Sequence, residues 1–193
     1  MTTPTSQLDA VNYMLASIQE APVSSLEGTN VDDVATAVSA LDRASRSVQK
    51  RGYRFNTEPD FEFTPDGDGF INLPSSTLKV VIKRGRYTED PVWRGTRLYD
   101  RKDGTFVFDR NIKADVTKML DFEDLPESAR EYIFTKAARV FQQQTIGDDD
   151  HYSFTARDEQ ISRAEFINDM QDGASNNMVS GPGMEWIATR RVR

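Results

Sequence analysis

Two stretches near the start of the chain repeat their apolar residues with the period of an α-helix. The first begins after Ser6, where Asp9 completes a capping box, and Pro22 is expected to end it. Its apolar stripe comprises Leu8, Val11, Met14, Leu15 and Ile18. The second is predicted to begin at Asn30 and to have Gly52 as its C′ residue. Its stripe comprises Val31, Val34, Ala35, Val38, Leu41, Ser45 and Val48.

Between residues 53 and 121 apolar and polar residues alternate, which is the period of a β-strand. Gly and Asp residues predict turns at 66–69 and 102–104. The predicted strands are residues 61–63, 70–73, 78–82, 96–99, 105–108 and 113–120. We expect residues 98–101 and 105–108 to form a hairpin.

Helical periodicity returns after Pro126, which suits the first position of a third helix that ends near Gly147. Its apolar face comprises Ala129, Tyr132, Ile133, Ala137, Val140 and Phe141. Residues 148–150 are expected to be an acidic linker, and a fourth helix is predicted over residues 154–172, closed by Gly173. The face of this helix is expected to comprise Ile161, Ala164, Ile167 and Met170.

These elements predict an α+β protein. Four helices can bury their stripes in one four-helix bundle, and the β-rich region is inserted between helices two and three. The expected domains are a bundle of residues 1–52 and 122–172, a β-rich insertion of residues 53–121, and an extended C-terminal arm of residues 173–193.

Composition excludes several classes of function. The 193 residues contain no cysteine, so disulfides and thiolate chemistry are excluded. The net charge of −7 argues against a broad basic DNA-binding face, although an acidic wall would keep passing DNA from adhering. No apolar run approaches the roughly 20 residues of a membrane span. Residues 1–6 lack the basic and apolar regions of a signal peptide.

Three groups of residues were weighed as candidate catalytic or metal sites. Asp66-x-Asp68-Gly69 resembles the start of a calcium loop, but no Glu follows at the required spacing, so a turn is the better interpretation. His151 beside residues 148–150 suggests a metal site or a catalytic triad, against which a linker location argues. A glycosidase would need two acids across a cleft with aromatic side chains. Its candidate acids are Glu58, Asp60, Asp121, Glu123 and Asp124, and its candidate aromatics are Phe61, Phe63, Phe70, Tyr87 and Trp93.

The C-terminal residues are both basic and apolar, which is unusual for a chain end. We interpret them as a docking arm that orders on a partner. Its candidate binding residues are Met184, Trp186, Ile187, Arg190, Arg191 and Arg193. No cofactor-binding, metal-binding or catalytic residue is assigned.

Several segments, taken in order, resemble the tail tubular protein A family of short-tailed phages, which are head-to-tail adaptor or gatekeeper proteins. They are residues 10–18, residues 22–28 (Pro-Val-Ser-Ser-Leu-Glu-Gly), residues 49–56 (Gln-Lys-Arg-Gly-Tyr-Arg-Phe-Asn) and residues 121–141. The resemblance follows the whole chain in element order and is loosest over residues 61–111.

The resemblance implies a structural virion protein without cofactor or reaction, in a ring of twelve subunits between the portal and the tail nozzle. The bundle would build the ring wall, and the arm would embrace the portal. The β-rich part would face neighbouring subunits and the nozzle. Genomic DNA would pass through the channel without sequence-specific binding, and assembly would take place in the host cytoplasm. The alternatives are a tail-associated polysaccharide hydrolase and a stand-alone regulatory or binding module.

Overall fold

The structure, a computed structural model, describes residues 4–27, 32–83, 89–145 and 149–179. These residues form four α-helices and five β-strands, an α+β fold as predicted. The chain divides into two compact units, which are described separately. The helical unit is Met1–Leu41 with Pro126–Arg193, and the β unit is Asp42–Leu125.

Helix α1 (Gln7–Ser17) begins as the sequence predicts. The Ser6 hydroxyl accepts a hydrogen bond from the Asp9 backbone N–H at 3.1 Å, and the Asp9 carboxylate accepts one from the Ser6 N–H at 3.0 Å. This capping box satisfies two backbone donors that the first helical turn cannot pair internally.

The predicted end of α1 at Pro22 is wrong, because the helix stops at Ser17. Gln19 adopts a left-handed conformation with φ of 64°, and the next residue, Glu20, donates its N–H to the Leu15 carbonyl at 3.0 Å. This is a Schellman closure, which usually has glycine at the left-handed position. A glutamine there gave no sequence signal for the helix end.

Helix α2 (Asp32–Gln49) ends as predicted. Gly52 has φ of 81° and donates its N–H to the Gln49 carbonyl at 3.0 Å. The predicted start at Asn30 and the stripe residue Val31 lie outside the described residues.

The predicted stripe of α2 is partly wrong, because Ala35 is exposed and Val38 is only half-buried. Alanines occupy the buried face where the prediction favoured larger residues. The buried residues of α2 are Val34, Ala37, Ala40, Leu41, Ala44, Ser45, Val48 and Gln49.

Helix α3 (Glu127–Thr145) buries the predicted face, apart from the half-buried Val140. Pro126 lies just before the helix and not at its first position. Its carbonyl accepts the N–H groups of Ala129 at 2.9 Å and Arg130 at 3.0 Å.

Helix α4 (Asp149–Val179) differs most from expectation. It begins at Asp149, so residues 149–151 are helical and do not form a linker, and it continues through Gly173. Its predicted apolar face is also wrong. Ile161 is 49% exposed, whereas Ser162 and Phe166 are buried.

Within the helical unit, α3 packs against both α1 and α4. The Tyr132 and Phe166 rings stack at a centroid distance of 5.6 Å, and the hydroxyls of Thr135 and Ser162 hydrogen bond at 2.7 Å. These contacts make Phe166 the anchor of α4, since its side chain is fully buried.

The β unit contains a three-stranded antiparallel sheet in the order β1-β5-β2. Its strands are β1 (Thr57–Phe63), β2 (Thr77–Val81) and β5 (Ile112–Lys118). They include most of the predicted strands 61–63, 78–82 and 113–120. The core of the unit comprises Phe63, Ile71, Leu98, Phe108, Ile112, Ala114 and Val116.

Of the predicted hairpin, the structure retains one antiparallel bridge, in which the Asp100 N–H donates to the Thr105 carbonyl at 2.7 Å, and the ladder partner of residues 97–100 is a different strand. Strand β4 (Arg97–Asp100) pairs with β3 (Pro91–Arg94), which the sequence did not suggest because it is short and begins with proline. Residues 70–73 and 105–108 form isolated bridges within the described residues and are not strands of a ladder. Gly95, with φ of 63°, allows the tight turn between β3 and β4.

Candidate assembly surfaces

The residues predicted for the docking arm cannot be placed. Met184, Trp186, Ile187, Arg190, Arg191 and Arg193 lie outside the described residues. Their role in binding a partner therefore stays a prediction.

The calcium-like loop is a structural turn. One carboxylate oxygen of Asp66 accepts the N–H groups of Asp68 at 3.1 Å and Phe70 at 2.8 Å. The other accepts the side-chain amide of Asn72 at 3.0 Å. Both carboxylate oxygens of Asp66 accept hydrogen bonds from residues of its own loop, which supports the turn interpretation.

Two of the candidate glycosidase acids each have a cation as partner, whereas Tyr87 and the side chain of His151 lie outside the described residues. Glu58 pairs with Lys118 at 2.8 Å, and Asp60 pairs with Lys83 at 3.4 Å. Among the described residues, no group of three or more acidic or histidine side chains is arranged to hold a metal ion. Likewise, no helix in the described ranges is both long enough and apolar enough to cross a membrane.

One of the family-like segments forms a buried polar junction in the β unit. The Gln49 side chain donates to the Leu120 carbonyl at 3.0 Å and accepts the Leu120 N–H at 2.9 Å. The Asn56 amide donates to the carbonyls of Gln49 and Lys118, each at 3.0 Å, and its oxygen accepts the Tyr53 N–H at 2.8 Å. Two buried amides thus join the end of α2 to strand β5 and the residues after it.

Residues 49–56 belong to the family-like segments, but their sequence gave no signal of this structural role. The residues that these amides contact are about 60 to 70 positions away in the sequence. A polar Gln or Asn at a helix end is also a common surface feature, so its burial gave no local signal.

The helical unit carries a surface on which carboxylates crowd together. We define the acidic ridge as Glu127, Glu131, Asp158 and Glu165, which belong to α3 and α4. Partial burial raises the pKa of Glu131, and the negative charges of Glu165 and Glu127 raise it further. Like charges therefore meet on this ridge without full compensation.

Tyr13 of α1 adjoins the same ridge. Its ring meets Phe134 edge to face at 5.0 Å, and its hydroxyl hydrogen bonds to Asp158. Burial raises the pKa of Tyr13, and the charges of Asp158 and Glu131 add to the effect. The exposed Ile161 lies one helical turn from both Asp158 and Glu165, so an apolar side chain interrupts the acidic surface.

The β unit carries a surface of the opposite sign. We define the basic stripe as Arg46, Lys50 and Arg51, which are all exposed at the C-terminal end of α2. Cations here also favour the negative end of the helix dipole, so part of their role is local stabilisation. Two more exposed cations, Arg43 and Arg54, flank the stripe.

The comparisons with known proteins agree with the resemblance found in the sequence. A family model described as "Tail tubular protein" matches residues 8–175. Tail tubular protein A of Klebsiella phage KP34 is 32% identical to the chain over 152 residues, which are 79% of this chain and 80% of that protein. The match extends through both structural units, and the chain therefore belongs to the tail tubular protein A family.

Proposed function

We propose that the protein is a head-to-tail connector, a ring that joins the portal to the tail nozzle and extends the DNA channel. The observation that carries this proposal is the family match over residues 8–175, which includes the helical residues and the β unit alike. A match confined to one unit would support a shared fold and much less of a shared role.

Family membership makes the chain a structural component of a phage tail, which assembles with other tail components. The finer assignment to a connector is our proposal. We infer a ring of twelve subunits, built in the host cytoplasm, with the helical bundle as its wall. In this proposal the insertion at residues 53–121 faces neighbouring subunits and the nozzle, and the arm at residues 173–193 holds the portal.

Charge supports a channel that does not bind DNA. The net charge of −7 makes the protein repel a polyanion at long range, which favours passage over adhesion. The same charge does not prevent assembly, because the acidic ridge and the basic stripe are separate local surfaces of opposite sign.

The decisive experiment is co-sedimentation of the purified protein with its cognate portal ring, followed by electron microscopy of the peak. The proposal expects an added ring of density under the portal. A folded protein that never associates with an intact portal would contradict the proposal.

The arm is tested by truncation after Val179, because α4 extends to this residue. The proposal expects the truncated protein to keep its helical content by circular dichroism and to lose portal binding. A full-length variant with Arg190, Arg191 and Arg193 changed to glutamine is the matched control for length, and it is expected to bind weakly. Unchanged portal binding after truncation would show that the arm is not the binding element.

A further inference from the structure

The basic stripe has no ion-pair partner in the described structure. None of the ion pairs formed among residues 4–27, 32–83, 89–145 and 156–171 includes Arg46, Lys50 or Arg51. Lys50 directly follows α2 and donates its N–H to the Arg46 carbonyl at 3.1 Å, so the two side chains, four residues apart, lie on the same side of the helix end. Cations that lie side by side at one helix end repel each other, and contact with a negatively charged surface offsets this repulsion.

On the acidic ridge, side chains of the opposite, negative charge repel one another. Glu131 has two other acidic side chains, Glu165 and Glu127, as its electrostatic neighbours. Other carboxylates of this unit do have cations, since Glu159 pairs with Lys136 at 3.8 Å and with Arg139. The ridge is therefore set apart from the paired acids of the same helices.

We propose that successive copies of this chain bind one another head to tail, with the basic stripe of one copy on the acidic ridge of the next. The inference rests on the proposed ring and names the surfaces that form its lateral contact. Because the two surfaces differ, the contact is heterologous, and a heterologous contact that closes generates a ring.

The exposed Ile161 supports this choice of occupant. It is 49% exposed and stands between Asp158 and Glu165 on α4. Lysine and arginine cover apolar surface with their aliphatic stems while their charged ends reach neighbouring carboxylates. A basic stripe thus matches the ridge in both respects, since it supplies cations for the acids and methylene groups for the isoleucine.

DNA is the other polyanion that could occupy the stripe. The stripe is short, and the chain as a whole has 31 acidic against 24 basic residues, so long-range electrostatics oppose the approach of DNA. The chain itself carries a local surface of opposite charge, the acidic ridge. We therefore assign the stripe to a second copy and treat DNA as an outcome of the test.

The test uses two charge-reversed variants of the full chain. The stripe variant carries Arg46→Glu and Lys50→Glu, and the ridge variant carries Glu131→Lys and Glu165→Lys. Each variant alone presents two surfaces of the same sign, so each is expected to self-associate at least about tenfold more weakly than the wild type. In an equimolar mixture, a stripe variant beside a ridge variant again pairs surfaces of opposite charge at every contact. Because twelve is an even number, the two variants can alternate around the whole ring.

Self-association is measured by sedimentation velocity without portal, over a range of concentration and salt, and ring formation on the portal is measured separately by electron microscopy. The matched control carries Lys79→Glu and Arg163→Glu, two exposed cations outside the stripe, and it is expected to assemble like the wild type. Circular dichroism checks the fold. If a double variant does not fold, the single variants Arg46→Glu and Glu165→Lys replace the pair.

Recovery of assembly in the mixture, together with weak assembly of each variant alone, supports the contact. Rings that form on the portal with every variant would overturn the contact and leave the connector role standing. Charge-dependent self-association without any portal binding would support the contact and contradict the connector role. A stripe variant that assembles normally but loses retention on DNA would reassign the stripe to DNA, and no self-association of the wild type with or without portal would overturn the contact.

Discussion

At the scale of the residue, two helix ends depend on the left-handed backbone conformation. Gly52 ends α2 with φ of 81°, and Gln19 ends α1 with φ of 64°. Glycine adopts this conformation without steric cost, whereas a side chain makes it less favourable. The position of Gly52 was predictable for this reason, and that of Gln19 was not.

Replacing Gly52 by alanine is expected to destabilise the protein by about 1–3 kcal/mol. A Cβ atom at this position would lie 2.9 Å from the Thr117 hydroxyl oxygen, in addition to the backbone strain. The free energy of unfolding in urea measures the effect. Gly67→Ala is the control, because nothing lies within 4 Å of its added Cβ and its φ is not positive, and an equal loss there would refute the explanation.

A second residue-scale prediction concerns the buried Asp100, which is 2% exposed. Burial acts to raise its pKa, but the backbone N–H groups of Asp90, Lys102 and Asp103 and the charge of Lys102 outweigh burial and lower the pKa below its usual value. A lowered pKa means that the folded state favours the ionised carboxylate. Its contribution to stability is therefore present above the unfolded pKa of about 4 and is lost as the pH falls through the folded pKa.

Asp100→Asn is accordingly expected to lower stability at neutral pH by roughly 1–2 kcal/mol. It should also flatten the loss of stability below about pH 4. Thermal unfolding across this pH range measures both effects. Asp68→Asn, at an exposed position of the turn at residues 66–69, is the control and should lose stability below about pH 4 as the wild type does. If the Asp100 variant loses stability below about pH 4 as steeply as the wild type, the lowered pKa of Asp100 is not the cause.

At the scale of the element, the end of α2 is joined to the sheet by buried amides. Gln49 is fully buried, and its side chain forms two hydrogen bonds to the backbone of Leu120 besides one to the Ser45 hydroxyl. Such a two-point contact holds the chain after β5 in a defined position relative to the helix. Apolar packing alone would set this position less specifically.

Gln49→Leu keeps a side chain of similar size and removes both hydrogen bonds to Leu120 and the one to the Ser45 hydroxyl. It is expected to destabilise the protein by roughly 2–4 kcal/mol, because a buried N–H and a buried carbonyl lose their partner. Chemical denaturation measures the loss. Gln143→Leu, at an exposed position of α3, is expected to change stability by less than about 0.5 kcal/mol. Similar effects of the two substitutions would show that burial at Gln49 is not the cause.

The helices show how far sequence patterns reach at this scale. The capping box at Ser6 and the end at Gly52 were predictable, because they involve contacts within a few residues. The buried face of α4 was not, because Ile161 and Phe166 offer alternative apolar faces, and contacts with Tyr132 and Thr135 on α3 select the face of Phe166 and Ser162. The pairing of β3 with β4 was missed because Pro91 argues against a strand unless that strand lies at an edge.

At the scale of the whole molecule, assembly and stability make opposite demands on the acidic ridge. The raised pKa of Glu131 means that the folded state holds its proton more tightly than the unfolded state. The ionised group therefore lowers stability as the pH rises through the folded pKa. A cationic surface from a neighbouring copy would remove this penalty in the ring.

Glu131→Gln is expected to raise the thermal stability of the isolated protein at neutral pH and to weaken its self-association. Differential scanning calorimetry and sedimentation velocity measure the two quantities on the same sample. Glu20→Gln, at an exposed position outside the ridge, is the control and should change neither. A Glu131 variant that is less stable than the wild type would contradict the electrostatic explanation.

The sequence by itself determined the α+β class, the start of α1, the end of α2, the extent of α3 and membership of the family. These features depend on neighbouring residues or on the order of segments along the chain. Only the tertiary structure decided which face of α4 is buried, which strand pairs with β4, and that carboxylates of α3 and α4 form one ridge. The physical reason is that burial and charge crowding depend on residues far apart in sequence, whose distances no local period determines.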